Sequence, residues 1–397
     1  MESGDRSIFR SVIGGNPVSA FWRCCLVVSL SAGVASPALA ADAPGLDVLM
    51  GGSGRAGVQA ELSKLVFDNG KTYSWQEYAQ WGKEIFLDGR AAAPPTGPGP
   101  SPAVSRHFTC AQCHNHERED PDLPVQDPEA RFAWIERTGS NVRMLQGATL
   151  WGAVNRTTFY GGDYAKYNDL CVVNGEELLS WLPCGPVFGW CLPGCRTMDP
   201  ESLVDATQVC SRYCSVGRYL KAWELYALLA FFWDREIKLD DLDLAPRTRA
   251  EALAVLTAPA PDPREAKRLR AALAGAFSPE AGNTFRGVPR LAGDGAPGKP
   301  VVEYPDGSRF AGDASRGAAL WKLSCGQCHE SGERPLTRGK AREFSGDAGD
   351  FHTMIAKGTR HSFRRYMPSF TLERLSRGQS ADILAFLQQF AATGSRP

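Results

Sequence analysis

The chain has 397 residues, and its 44 basic and 44 acidic side chains leave a formal net charge of zero. That length favours two domains over one, and the charge balance gives no reason to expect nucleic acid or an anionic surface as a partner. The 41 glycines and 27 prolines, with little alternation of apolar and polar residues, predict a mainly α fold with long Gly/Pro-rich loops.

At the start, Arg6, Arg10 and Arg23 lead into an apolar run from Cys24 to Leu30, and Ala38-Leu39-Ala40 has the small-residue form of a leader cleavage site. Residues 1–40 are therefore expected to be a signal peptide. The apolar run is too short to span a bilayer, so no stable membrane anchor is expected. Cleavage near Ala41 would place the mature chain in a periplasm, where disulfides persist. Residues 41–70 are Gly-rich and weakly patterned and are expected to form an extended leader.

Domain 1 is expected over 71–245. Trp75, Tyr78, Ala79, Ile85 and Phe86 recur at helical spacing, and Ser74 with Glu77 forms a capping box. After the Pro/Gly loop Ala91–Pro102 comes Cys110-Ala111-Gln112-Cys113-His114. Two thiols three positions apart, followed by a histidine, are the attachment site of a c-type haem. The thiols add to the two vinyl groups of one porphyrin, and the histidine becomes the proximal iron ligand. His107 and His116 flank this site as surface residues or propionate partners.

Further on, Asp127 and Pro128 start a helix predicted to run to Thr138. Leu145–Tyr160, with its glycines and aromatics, is expected to be a loop packed on the porphyrin. A Cys-rich insertion holds Cys171, Cys184, Cys191, Cys195, Cys210 and Cys214, and an amphipathic helix over Lys221–Ile237 closes the domain. Residues 246–311 are expected to be helical segments split around Pro259–Pro263, then a linker over Ser278–Phe310 without periodicity. Domain 2, over 312–397, opens with a helix running into Cys325-Gly326-Gln327-Cys328-His329, a second attachment motif. Short and long helices follow over Asp350–Lys357 and Ser380–Ala391. The expected fold is thus two tandem cytochrome c-like helical domains, each around one covalent haem.

From Gly312 to the end the sequence resembles a class I cytochrome c. The resemblance rests on an N-terminal helix, Cys325–His329, Pro335-Leu336, Tyr366-Met367-Pro368-Ser369-Phe370 and a closing helix. It implies Met367 as the distal ligand and Pro335 as the residue that holds the proximal His329 through its carbonyl. His352, Met354 and His361 are the rival ligands. Sliding the closing helix of domain 1 onto that of domain 2 aligns Ala230-Phe231-Phe232 with Ala385-Phe386-Leu387. The same slide puts Arg212, between Cys210 and Cys214, where Met367 stands. The first distal ligand is therefore open between a thiolate from Cys210 or Cys214, and Met198, Met144 or a nearby histidine with three disulfides stapling the insertion.

Leu203–Arg212, the helix with Trp223-Glu224, and the aromatic loop Leu150–Tyr164 resemble the dihaem cytochrome subunit of the sulfur-oxidising (Sox) system. That family places a ligand cysteine shortly before a closing helix. The second half departs from it, with a Met where the family uses another Cys. Two covalent haems without a nucleophile–base pair or phosphate loop suggest an electron carrier between unidentified redox proteins. The alternatives are an oxidoreductase that uses a Cys-ligated first haem on a sulfur compound such as thiosulfate, and a dihaem peroxidase.

Overall fold

Two pairs of crossed helices carry the structure, and a glycine sits at each crossing. In the first pair, α2 (Trp75–Asp88) follows α1 (Arg55–Ser63). Ser74 caps α2: its backbone N–H donates to Glu77 Oε2 (2.7 Å) and its Oγ accepts from the Glu77 N–H (3.3 Å). Gly89, at φ 74°, ends the helix in the left-handed region that favours glycine. The face Tyr78, Ala79, Trp81, Gly82, Ile85, Phe86 is buried against α5 (Ala222–Trp233). A Cβ on Gly82 would lie 2.0 Å from the Ala227 carbonyl oxygen and 2.9 Å from Phe231 Cβ.

The second pair is α8 (Ala314–Ser324) and α12 (Arg377–Thr393). A Cβ on Gly317 would lie 1.9 Å from the Asp382 carbonyl oxygen and 2.9 Å from Phe386 Cβ. Ala227 and Phe231 correspond to Asp382 and Phe386 at the same offset of 155 residues that aligns the two closing helices in sequence. The two crossings are one packing solution used twice. Removing the side chain at the crossing lets two helix backbones approach closely.

Between these pairs lie α3 (Pro128–Thr138), strands β1 (Cys171–Val173) and β2 (Cys195–Thr197), α4 (Leu203–Val209) and, beyond α5, α6 (Pro246–Leu256) and α7 (Pro263–Phe277). The computed structural model describes residues 54–395 except 119–126, 140–146, 148, 157, 161–166, 174–194, 260–261, 278–287, 297–298, 331–334, 363–364, 368–369, 371 and 373. The expected signal peptide, Met144, Cys184 and Cys191 lie outside the described residues. All described residues fall within one contact unit, Ala43–Pro397.

Two stretches differ from the sequence expectation. Part of the extended leader is helical: α1 buries Val58 and Leu62 in the core of the first helix pair. The stretch expected as linker contains the antiparallel sheet β3 (Arg290–Ala296), β4 (Lys299–Glu303), β5 (Arg309–Ala311), with Val302 paired to Leu291 and Phe310. Val302 and Tyr304 belong to the second core. The strands are short and carry Gly and Pro, so periodicity does not reveal them; they exist because the core covers one face.

The remaining elements are the attachment turn α9 (Gly326–His329), α10 (Arg338–Ser345), α11 (Ala348–Lys357), and the strands β6 (Thr359–Ser362) and β7 (Arg365–Met367). The second core also takes Phe132 and Ile135 from α3, which lies in the first half of the sequence. A polar clasp fixes that insertion. Glu129 pairs with Arg316 and accepts from Ser376 Oγ (2.6 Å), Gln379 Nε2 donates to the Pro128 carbonyl (2.9 Å), and Arg316 also reaches Asp382 (3.2 Å). Among the described residues no helix is long and apolar enough to cross a membrane.

An alanine at either crossing must push two helix backbones apart. Gly82→Ala and Gly317→Ala are each expected to cost about 1–3 kcal/mol in chemical denaturation. Gly293→Ala, whose added Cβ meets nothing within 4 Å, is expected to change stability little.

Candidate functional site

The two C-x-x-C-H stretches share a pair of backbone hydrogen bonds, the first within a 3₁₀ turn and the second within a short α-helix. In the first, the N–H groups of Cys113 and His114 donate to the Cys110 carbonyl (3.0 and 2.9 Å). In the second, those of Cys328 and His329 donate to the Cys325 carbonyl (3.1 and 3.0 Å). One turn of this kind brings side chains three apart onto one side, so each pair of thiols faces one way with the histidine beside it. None of these four cysteines is disulfide-bonded, and neither are Cys210 and Cys214. Cys171, by contrast, is disulfide-bonded.

The first turn opens on a cleft of about 890 Å³, its mouth included. Leu150, Phe159, Leu220, Leu228 and Phe232 make its walls, with Cys110 and His114 on one side and Cys210 and Ser211 also facing in. An iron porphyrin needs apolar walls, two thiols at its rim, a histidine on one face and a partner for its carboxylates. The residues present meet each need. Arg156, 7% exposed, also lines the cleft and donates Nη2 to the Thr149 carbonyl (2.7 Å); a buried guanidinium is a natural partner for a carboxylate.

The near side is held by the loop after α3. Arg131, 1% exposed, donates Nη2 to the Gly147 carbonyl (2.8 Å), and a Cβ on Gly147 would lie 1.8 Å from the Cys113 carbonyl oxygen. The Leu150 N–H donates to the Asn115 carbonyl (2.8 Å). The loop therefore wraps the attachment turn itself, as its glycines and aromatics lead one to expect.

The far side is built by α4. Ser202 caps it, accepting from the Asp205 N–H (3.2 Å). Asp205, itself buried, is held by both Arg196 guanidinium nitrogens (2.5 and 2.7 Å). The helix then widens into a π turn over Cys210–Cys214, a distortion common at functional sites. Cys210 is hydrogen-bonded to Cys214 and to His114, and Cys214 is also bonded to Tyr160. The bond from Cys214 pulls the Cys210 thiol well below its ordinary value, and the same bond pushes Cys214 up. Cys210 and His114 thus meet at the cleft, joined by a side-chain hydrogen bond.

After the π turn the chain is sewn to the segment before the first motif. Ser105 Oγ donates to the Ser215 carbonyl (2.6 Å), the Arg218 N–H to the Val104 carbonyl (2.9 Å), and Arg218 Nη2 to the Pro102 carbonyl (2.9 Å). Arg218 also makes a bidentate pair with the buried Glu224 at the start of α5 (2.6 and 2.6 Å). Val216, at φ 53°, and Tyr160, at φ 54°, stand in the left-handed region without being glycine; such strain gathers at functional sites.

At the second turn, the rings of Trp321 and Phe344 flank His329 with centroids at 5.7 and 6.0 Å. Met367, on β7 opposite Thr359 of β6, packs half-buried against the core that contains Cys325 and Leu336. Strand β7 also contacts the π turn, and Cys113 lies near enough to Cys328 for their charges to interact. The two attachment sites are neighbours.

The structure also places the other candidate ligands. Met198 is 3% exposed in a satellite core with Phe159, Tyr167 and Val172. His352 is buried, its Nδ1 within reach of Tyr304 Oη (3.2 Å) and Ser380 Oγ (3.3 Å). Met354 packs on the second core, and His361 stands on β6. His107 is exposed, while His116 leans on Phe86 and Phe231 with centroids at 5.4 and 5.8 Å. His116 thus supports the first helix crossing rather than the surface. Arg156 and the strained Tyr160 are the site residues that sequence reasoning did not single out; both lie in the loop read as porphyrin packing.

Residues 312–387 match the family described as cytochrome c oxidase, cbb3-type, subunit III. That match gives the second half a cytochrome c domain, which implies a covalently bound c-type haem with its iron and suggests electron transfer. It does not extend over the first motif. No curated protein and no solved structure matches the chain.

Burial holds His352 at about 3, with Arg377 lowering it further, below the 6.5 of an unfolded histidine. The folded state therefore resists a proton that the unfolded state accepts. The stability this contributes is present above pH 6.5 and is lost as pH falls toward 3. Thermal melts of the wild type should drop more steeply over that window than those of His352→Gln. The haem spectrum of His352→Gln should match the wild type, because Tyr304 and Ser380 already engage the His352 ring.

Proposed function

We propose that this protein is a periplasmic dihaem c-type cytochrome, exported by residues 1–40, that passes electrons between redox proteins. Cys110 and Cys113 would hold the first haem, and His114 and Cys210 would offer its iron an imidazole and a thiolate. Cys325 and Cys328 would hold the second, and His329 and Met367 would offer an imidazole and a thioether. The observation that carries the reading is Cys210: a half-buried thiol outside any disulfide, hydrogen-bonded to His114 in an apolar cleft. The repeated helix crossing and the matching attachment turns support a second cytochrome c-like half around the first motif.

The chemistry each ligand supplies sets a direction. A thiolate pushes electron density onto iron and lowers its potential, whereas a thioether raises it. Electrons entering at the first haem would thus run downhill to the second, and the nearness of Cys113 and Cys328 supports a direct passage. The chain's own residues do the rest: Arg131 and Gly147 fix the proximal turn, and Arg218 with Glu224 fixes the distal one.

A second reading is favoured by the same thiol. A low-potential, thiolate-ligated haem next to a methionine-ligated one suits the two-electron oxidation of a sulfur compound such as thiosulfate, with one electron accepted at each haem.

Haem content should be two per chain. Oxidised protein should give a thiolate-type electron paramagnetic resonance signal that Cys210→Ala abolishes. A near-infrared band of methionine ligation should disappear in Met367→Ala. Absence of the thiolate signal from wild type would overturn the assignment of Cys210. Thiosulfate-dependent reduction of the haems would favour the enzyme over the carrier.

A further inference from the structure

The unexplained residue at the first site is Cys214. It is a free thiol, four positions past Cys210, in a chain whose neighbouring insertion contains disulfide-bonded Cys171. Two free thiols so close in an oxidising compartment call for an explanation. Engagement of Cys210 by iron would supply one, because a metal-bound thiolate does not pair with its neighbour. Cys214 would then persist as a thiol with one hydrogen to donate.

The π turn gives that hydrogen its target. It brings Cys214 against Cys210, and the two are hydrogen-bonded to each other while Cys210 also meets His114. On its other side Cys214 is bonded to Tyr160, whose hydroxyl also lies 3.3 Å from the Ala206 carbonyl oxygen. Tyr160 is kept in place at φ 54° by neighbours on both sides. The Phe159 N–H donates to the Pro200 carbonyl (2.6 Å), and the Tyr160 ring packs on Tyr167 with centroids at 5.0 Å. Strain of that kind persists only where its surroundings over-determine it. The result is a row of side chains, Tyr160 to Cys214 to Cys210, that ends at the iron position.

We infer that Cys214 is a positioning residue that donates its S–H to the ligand sulfur of Cys210 and so tunes the first haem. The inference rests on Cys210 being the iron ligand. Outer hydrogen bonds to a ligand are among the levers by which a protein sets a haem potential. An S–H donated to a thiolate draws electron density away from it. The iron receives less, the iron–sulfur bond weakens and the potential rises. Cys214 thus moderates the low potential that a bare thiolate would impose, and it orients the Cys210 sulfur toward His114. Tyr160, bonded to Cys214 on its other side, helps to hold that side chain against Cys210.

The test uses the full-length holoprotein and three variants. Cys214→Ala should keep the thiolate resonance signal with altered g-values, lower the midpoint potential of the first haem, and leave the second haem unchanged. Cys214→Ser, which keeps a donor, should return both readings toward wild type. Cys210→Ala should abolish the signal; if it does not, the ligand assignment fails. If Cys210→Ala abolishes the signal while Cys214→Ala leaves g-values and potential at wild-type values, the ligand assignment stands and the role of Cys214 is overturned. Loss of the thiolate signal in Cys214→Ala with its retention in Cys210→Ala would make Cys214 the ligand and overturn both. Should Cys214→Ala not assemble, the wild type still answers: the iron–sulfur stretch in resonance Raman should shift between H₂O and D₂O, and an unshifted band would overturn the inference.

Discussion

The approach of two helix backbones at a glycine sets the frame for everything else. At Gly82 and at Gly317 there is no room for a Cβ beside the carbonyl of the crossing helix. Once the helices are locked that closely, the residues after the first of them have a fixed place to start. In the second half the chain reaches Cys325 immediately after α8; in the first it makes a detour through the Pro/Gly loop Ala91–Pro102 before Cys110. The thiols and histidines are then positioned by a pair of backbone hydrogen bonds that both halves share.

The halves are not independent. Helix α3 leaves the first attachment turn and buries Phe132 and Ile135 in the second core, where the clasp of Glu129 with Arg316 and Ser376 holds it. From the same helix Arg131 reaches back to Gly147, which lies against Cys113. One helix therefore ties the backbone of the first site to the packing of the second. Together with the contact of β7 and the π turn, it keeps the two attachment sites adjacent.

Asymmetry enters on the distal side. The second half offers Met367 on a two-stranded β6–β7 ribbon, while the first offers Cys210 on a π turn braced by Arg218–Glu224 and Arg196–Asp205. The bracing pairs join partly exposed arginines to buried carboxylates. Breaking either would leave a buried charge without its partner, which is costly. Rigidity at the first distal segment and plain core packing at the second follow from what each must hold.

Much of this protein was determined by the sequence alone. The attachment motifs, Cys110–His114 and Cys325–His329, are legible because covalent chemistry demands that spacing. The helix starts at Ser74 and Asp127 are legible because capping is local. Even the 155-residue offset between the closing helices can be read by sliding one on the other. What only the tertiary structure decided is everything that depends on contacts distant in sequence. Strands β3–β5 arise from a core that covers one of their faces. Met198 is a core residue because Phe159, Tyr167 and Val172 close around it. Cys210 meets His114 because the 95 residues between them bring the chain back to the cleft. A count of cysteines left thiolate and disulfide open, since the same six thiols satisfy either. The fold adds what a count cannot: Cys210 and Cys214 stand outside any disulfide, and Cys210 is hydrogen-bonded to His114 and to Cys214.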